Sequence, residues 1–170
     1  VSKDKLAKLA CEVEIEKLGN PIGKQDQYGA ALGGLNFIKF NQDGSVSHEP
    51  ILMEGKTYKK LQKNLLMFYT GTTRSANTIL AEQTKNITSE DKARNLLKMC
   101  GLAKDMKVAL ENNDISSFGK ILDEGWQLKK ELASGIANPA IDEAYEIAMK
   151  NGALGGKLLG AGGGGFLLFY

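Results

Sequence analysis

Along the first stretch of the chain the apolar positions gather on one side of a helix. At about 100° per residue, Leu6, Ala7, Leu9, Ala10, Cys11, Val13, Ile15 and Leu18 spread across one broad arc, with Lys5, Lys8, Glu12 and Glu16 outside it. The pattern predicts a helix over residues 3–18, with Ser2 as its N-cap and Gly19 beyond its end. "GNPIGKQDQ" (19–27) then breaks the period with Gly and Pro and reads as a loop. "DQYGAALGG" allows a short helical turn, and "LNFIKFN" alternates as a strand does. "QDG" (42–44) turns the chain into "SVSHEPILM", the expected hairpin partner. "LLMFYTG" (65–71) reads as a buried strand, followed by a helix over about 73–85.

The middle of the chain carries helical spacing almost throughout. Thr88 and Asp91 have capping-box spacing and open a helix towards Asn112. A further helix is predicted over about 115–134. Asn138 caps the next, with Pro139 at its first position and Gly152 past its end. Two apolar runs, "KLL" and "FLLFY", close the chain as strands. The class is α+β, with helices clustered between strands that meet from far apart in sequence.

Composition narrows the function classes. The 170 residues make one or two small domains, and 42% apolar with 25% charged residues is ordinary for a globular protein. A net charge of +2 is too weak to point to nucleic acid or an anionic membrane. No apolar run approaches the roughly 20 residues that span a bilayer, and no signal peptide precedes the first charges. Cys11 and Cys100 give neither a disulfide framework nor metal spacing, and a reduced, cytoplasmic setting is expected. The chain begins at Val1 directly before a helix, and we expect it to be a piece of something longer.

The glycine cluster 160–165 is costly in backbone entropy and asks for a reason. Gly160, Gly162 and Gly165 satisfy the letters of the dinucleotide fingerprint, but "FLLFY" follows as a strand where that fingerprint needs a helix. No G-x-x-x-x-G-K-[ST] run exists either. A plain hairpin needs fewer glycines, so the expectation is close approach of the main chain to another backbone or to a ligand.

Two carboxylates stand out upstream. Glu14 falls inside the apolar arc of the first helix, between Ala10 and Ala7. A carboxylate there must be ion-paired, hydrogen-bonded or bound to a metal, and an ion pair with Lys or Arg is as good a reading as a metal site. Asp26 lies in a glycine-bearing loop at a helix start, where a helix N-cap is the alternative to a site residue. Two carboxylates and a glycine-rich strand loop suit phosphoryl transfer, which rests on positioning and charge stabilisation. "YTGTTRS" (69–75) brings backbone N–H groups, the hydroxyl of Thr72 and the guanidinium of Arg74 to a strand end, a competent phosphate or sugar site or simply a capped helix. Lys24, Lys157 and His48 read as surface residues.

"GNPIGKQDQ" with Glu14 upstream, "YTGTTRSANTIL" and "GALGGKLLGAGGGGFLLF" together resemble the GHMP kinase superfamily of small-molecule kinases, and within it the heptose-phosphate kinases. The resemblance covers nearly the whole chain. It implies the end of a GHMP N-terminal domain (1–60) followed by the ferredoxin-like α+β C-terminal domain (61–170). It further implies Asp26 as the catalytic aspartate at the acceptor hydroxyl, Glu14 as the Mg²⁺ carboxylate, and Arg74, Thr72 and Gln27 at the substrate. Gly160, Gly162, Gly163, Gly164 and Gly165 match the third family motif, beside the active site.

The implied activity is ATP-dependent phosphorylation of the anomeric hydroxyl of a heptose 7-phosphate, with ATP and Mg²⁺ as cofactors and a sugar phosphate as substrate. No nucleic-acid or membrane partner is implied, and the oligomeric state is open. A kinase for fucose or galactose, or a non-catalytic sugar-binding or regulatory relative, are the alternatives. The glycine- and serine-rich loop that wraps ATP phosphates in this family has no counterpart in these residues, so the isolated chain is expected to be inactive.

Overall fold

The computed structural model describes residues 1–72 and 76–170, which form two compact units, Val1–Leu52 and Met53–Tyr170.

In the first unit, helix α1 (Lys3–Cys11) starts where the Ser2 hydroxyl accepts the Lys5 amide at 3.2 Å. It runs on as a π-helical stretch, Glu12–Lys17, in which the Leu18 amide reaches back five residues to the Val13 carbonyl at 3.0 Å. The uniform helix expected over 3–18 is therefore α-helical only in its first part. Each i→i+5 bond widens the turn and rotates the residues it carries. Gly19, at φ +67°, lets the chain leave the helix.

Helix α2 (Gln25–Leu32) follows, then the antiparallel hairpin β1 (Asn36–Phe40) and β2 (Val46–Pro50), with Ile38 opposite His48. Ala7 and Cys11 of α1 pack on Tyr28 and Leu32 of α2, and Ile38 and Val46 of the hairpin lie against that core. This apolar seam fixes how α2 approaches α1, and with it the neighbours of Glu14. His48 sits 2.9 Å from the Asp4 carboxylate, tying β2 to α1.

The second unit opens with α3 (Gly55–Asn64) and β3 (Leu66–Tyr69). Four helices come next, α4 (Ala76–Asn86), α5 (Glu90–Glu111), α6 (Phe118–Lys130) and α7 (Pro139–Lys150). The hairpin strands β4 (Gly156–Leu158) and β5 (Phe166–Phe169) complete it. β5 lies between β3 and β4, antiparallel to both. Leu158, Leu167 and Phe169 of the sheet pack with Trp126, Leu132, Ile136, Ile141 and Tyr145 of the helical layer. Helices on one face of an antiparallel sheet make this an α+β fold.

Three local expectations are corrected. Helix α3 was not expected, because four of its ten residues are lysines and only Thr57 and Leu61, one turn apart, are buried. β3 was expected to be buried; as an edge strand its four residues are instead 54–59% exposed. The N-cap of α5 is Ser89 rather than Thr88, whose hydroxyl donates to the Lys85 carbonyl at the preceding helix end. The Asn138 cap holds, accepting the Ile141 amide at 3.0 Å with Pro139 in the first turn. Among the described residues no helix is long and apolar enough to cross a membrane.

Candidate functional site

In the first unit, Glu14 and Asp26 line one cavity of about 410 Å³ together with Leu6, Ala10, Ile22, Gln27 and Ala31. The π-helical turns carry Glu14 to a half-buried position, where Oε2 accepts a hydrogen bond from the Gln27 side-chain amide at 2.9 Å. Among the described residues no lysine or arginine lies in ion-pair range of Glu14. The alternative of a structural ion pair is thereby set aside in favour of an amide partner.

Asp26 is exposed and sits inside the first turn of α2, while Lys24 occupies the N-cap position. The N-cap reading of Asp26 is corrected accordingly. A carboxylate in the first turn is still favoured by the helix dipole. Successive helical residues are rotated by about 100°, so the pair Asp26 and Gln27 divides. Asp26 meets water, while Gln27 turns inward and is only 6% exposed. The Gln27 carbonyl oxygen is buried without a hydrogen-bond partner.

The donor set around this cavity is oxygen only. Among the described residues no cluster of three or more His, Cys, Asp or Glu could hold a metal by itself. One or two carboxylates with substrate phosphates is how Mg²⁺ is commonly held, so Glu14 and Asp26 fit that ion better than a metal needing a full protein cage. Lys24 is turned to the Gly44 carbonyl at 3.1 Å rather than left as a free surface cation.

In the second unit the glycine loop joins β4 to β5, and its main chain is pressed against two other backbones. The Gly163 amide donates to the Ile136 carbonyl at 2.9 Å, and the Gly165 amide donates to the Thr72 carbonyl at 2.9 Å. A Cβ on Gly162 would lie 2.7 Å from Ile136 Cα, and one on Gly164 would lie 2.6 Å from the Thr72 carbonyl oxygen. Close backbone approach, one of the two expected reasons for the cluster, is met by protein backbone. Thr70 adds a side-chain bond, its hydroxyl donating to the Gly165 carbonyl at 3.0 Å.

Thr72 lies beside the glycine loop, while Arg74 lies outside the described residues. Lys157 points to the sheet face opposite the helical core, and burial lowers its amine pKa. It is half-buried rather than a free surface lysine. Sequence reasoning missed Ile136 and Thr70 as the seats of the loop. Neither carries a local signal, since their partners lie far along the chain.

Residues 106–169 match the family described as GHMP kinases C terminal. The chain is 35% identical over 168 residues to a D-glycero-alpha-D-manno-heptose 7-phosphate kinase of Campylobacter jejuni subsp. jejuni serotype O:2, covering 97% of this chain and 49% of that protein. It is 36% identical over 152 residues to an L-fucokinase/L-fucose-1-P guanylyltransferase of Bacteroides fragilis, covering 85% of this chain and 16% of that protein. The crystal structure of a D-glycero-D-manno-heptose 1-phosphate kinase from Bacteroides thetaiotaomicron superposes with a TM-score of 0.64 at 30% identity, covering 99% of this chain and 44% of that one. The chain spans about half the length of the heptose 7-phosphate kinase it matches. Residues 106–169, within the α+β second unit, thus carry the C-terminal domain of the GHMP kinases, and over most of its length the chain is similar to small-molecule kinases.

Proposed function

We propose that this chain supplies the carboxylate and glycine-loop elements of an ATP-dependent sugar kinase, acting on the anomeric hydroxyl of a heptose phosphate. The observation that carries the reading is the cavity shared by Glu14 and Asp26, in a chain whose relative at 35% identity is a heptose 7-phosphate kinase. On this reading Asp26, exposed at that cavity, orients an acceptor hydroxyl and takes its proton, and its exposure beside Glu14 supports that role. The hydroxyl oxygen then bonds to the γ-phosphorus, the bond to the β–γ bridging oxygen breaks, and ADP leaves with that electron pair. Mg²⁺, held by Glu14, would offset the phosphate charge.

The glycine loop's part is structural support, since its amides at Gly163 and Gly165 already serve Ile136 and Thr72. A second reading, a kinase for fucose, is favoured by the 36% identity to the fucokinase-containing protein. The relatives' own names differ in where the sugar already carries phosphate, position 7 in one and position 1 in the other.

The test is phosphoryl transfer from ATP by the complete gene product containing these residues. Heptose 7-phosphate, heptose 1-phosphate, fucose and galactose are offered in parallel. We expect an anomeric phosphate on the heptose 7-phosphate. Transfer to fucose alone would move the substrate assignment, and binding without transfer to any sugar would replace the kinase reading with a sugar-binding one.

A further inference from the structure

Gln27 is the most deeply buried polar side chain at the cavity, and its two ends are treated differently. Its amide nitrogen donates to Glu14 Oε2 at 2.9 Å, while its carbonyl oxygen is sealed from water with no partner. A buried, unpaired carbonyl is destabilising, so a residue kept only to satisfy Glu14 structurally is poorly chosen. A lysine or arginine would satisfy the same carboxylate with no orphaned acceptor, but would also neutralise it. An amide fixes one carboxylate oxygen and leaves the negative charge intact. Among the described residues the other oxygen, Oε1, has no hydrogen-bond partner.

The placement follows from the fold. Glu14 rides on π-helical turns, and Gln27 sits one position after Asp26 in the first turn of α2. The seam of Ala7, Cys11, Tyr28 and Leu32 locks the two helices together, so the amide cannot drift from the carboxylate. The hydrogen bond spans 13 residues of chain and closes the loop that carries Asp26.

We propose that Gln27 is the positioning residue of Glu14: a neutral clamp that holds the carboxylate in place while preserving its charge for a divalent cation. This rests on the kinase reading for its cation. Groups that orient a metal-binding carboxylate typically change metal affinity or activity by about 10- to 100-fold when removed.

Two variants of the complete gene product test it. Gln27→Met keeps the volume but removes both the donor and the orphaned carbonyl. Its melting temperature should hold or rise, while the Mn²⁺ concentration for half-saturation, read by electron paramagnetic resonance with a non-hydrolysable ATP analogue, should rise by about 10-fold. Gln27→Lys keeps a donor within reach of Glu14 but adds a cation. Mn²⁺ affinity should fall at least as far, with stability retained by the new ion pair.

A lowered melting temperature with unchanged Mn²⁺ binding in Gln27→Met would make Gln27 structural and overturn the proposal. Wild-type Mn²⁺ affinity in Gln27→Lys would overturn the requirement for neutrality. Because Mn²⁺ binding is read without turnover, absence of phosphoryl transfer in the wild type would sink the kinase reading and leave this test standing.

Discussion

The cavity of the first unit and the glycine loop of the second are built on opposite terms. Around Glu14 and Asp26 the polar capacity is left partly unused: an exposed carboxylate, a half-buried one with a single amide partner, and an orphaned carbonyl. Around 160–165 the amides of Gly163 and Gly165 are taken by Ile136 and Thr72, and there is no room for side chains at Gly162 or Gly164. The first region has chemistry to spare and little packing at stake. The second has packing at stake and little chemistry to spare. Binding and catalysis draw on groups that the fold leaves unsatisfied, whereas a loop that satisfies itself holds other parts in place.

The comparison breaks most readily at Asp26. Asp26→Asn in the complete gene product should lower kcat by about 10²- to 10⁴-fold, the usual worth of a positioned acid or base. Being exposed, the same change should alter stability by less than about 0.5 kcal/mol. Equal loss of activity and of melting temperature would erase the distinction between the two regions.

Gly162→Ala tests the other side. At φ +124°, with a Cβ driven towards Ile136 Cα, it should cost about 2–4 kcal/mol, combining backbone strain with overpacking. Trp126, the single tryptophan, is 1% exposed in the core of the same unit, so its fluorescence in urea reports the loss. An unchanged midpoint would mean that the loop relaxes away from its seat.

A smaller effect sharpens the same point. Asn138 caps α7 two residues after Ile136, and Asn138→Ala should cost about 1 kcal/mol through the lost bond to the Ile141 amide. Denaturation followed at Trp126 measures it, and no shift would show that the turn is held by packing alone.

The gentlest effect comes with pH. Bonds from the Ser134 amide and hydroxyl lower the pKa of Glu82, and bonds from Ser116 and Ser117 lower that of Asp114. A depressed folded-state pKa gives stability that is full above the unfolded value and is lost as pH falls through the folded one. The second unit should therefore be level through neutral pH and weaken below about pH 4. The slope should be shallower in Asp114→Asn, and an identical slope there would remove Asp114 from the account.

Much of this was legible along the chain. The Asn138–Pro139 helix start, the α+β order and the inward placement of Glu14 follow from capping chemistry and helical spacing. Helix α3 was hidden because its lysines leave only Thr57 and Leu61 to mark an inner face. The π-helical turns were hidden as well, because a slipped backbone bond such as Leu18 to Val13 leaves no mark in the spacing of side chains. Gln27 could be named from its place beside Asp26, but its hold on Glu14 could not.

What the sequence determined by itself is local: where helices begin, where strands alternate, and where a bare backbone is demanded. These are set by interactions a few residues apart, and residue type is enough to read them. Which amide meets Glu14 and which backbone receives Gly162 and Gly164 were decided by the tertiary structure. The Gln27–Glu14 bond closes across 13 residues and the Gly165–Thr70 bond across 95. Such contacts form only after apolar seams have brought distant elements together, so the residues that make them carry no local pattern of their own.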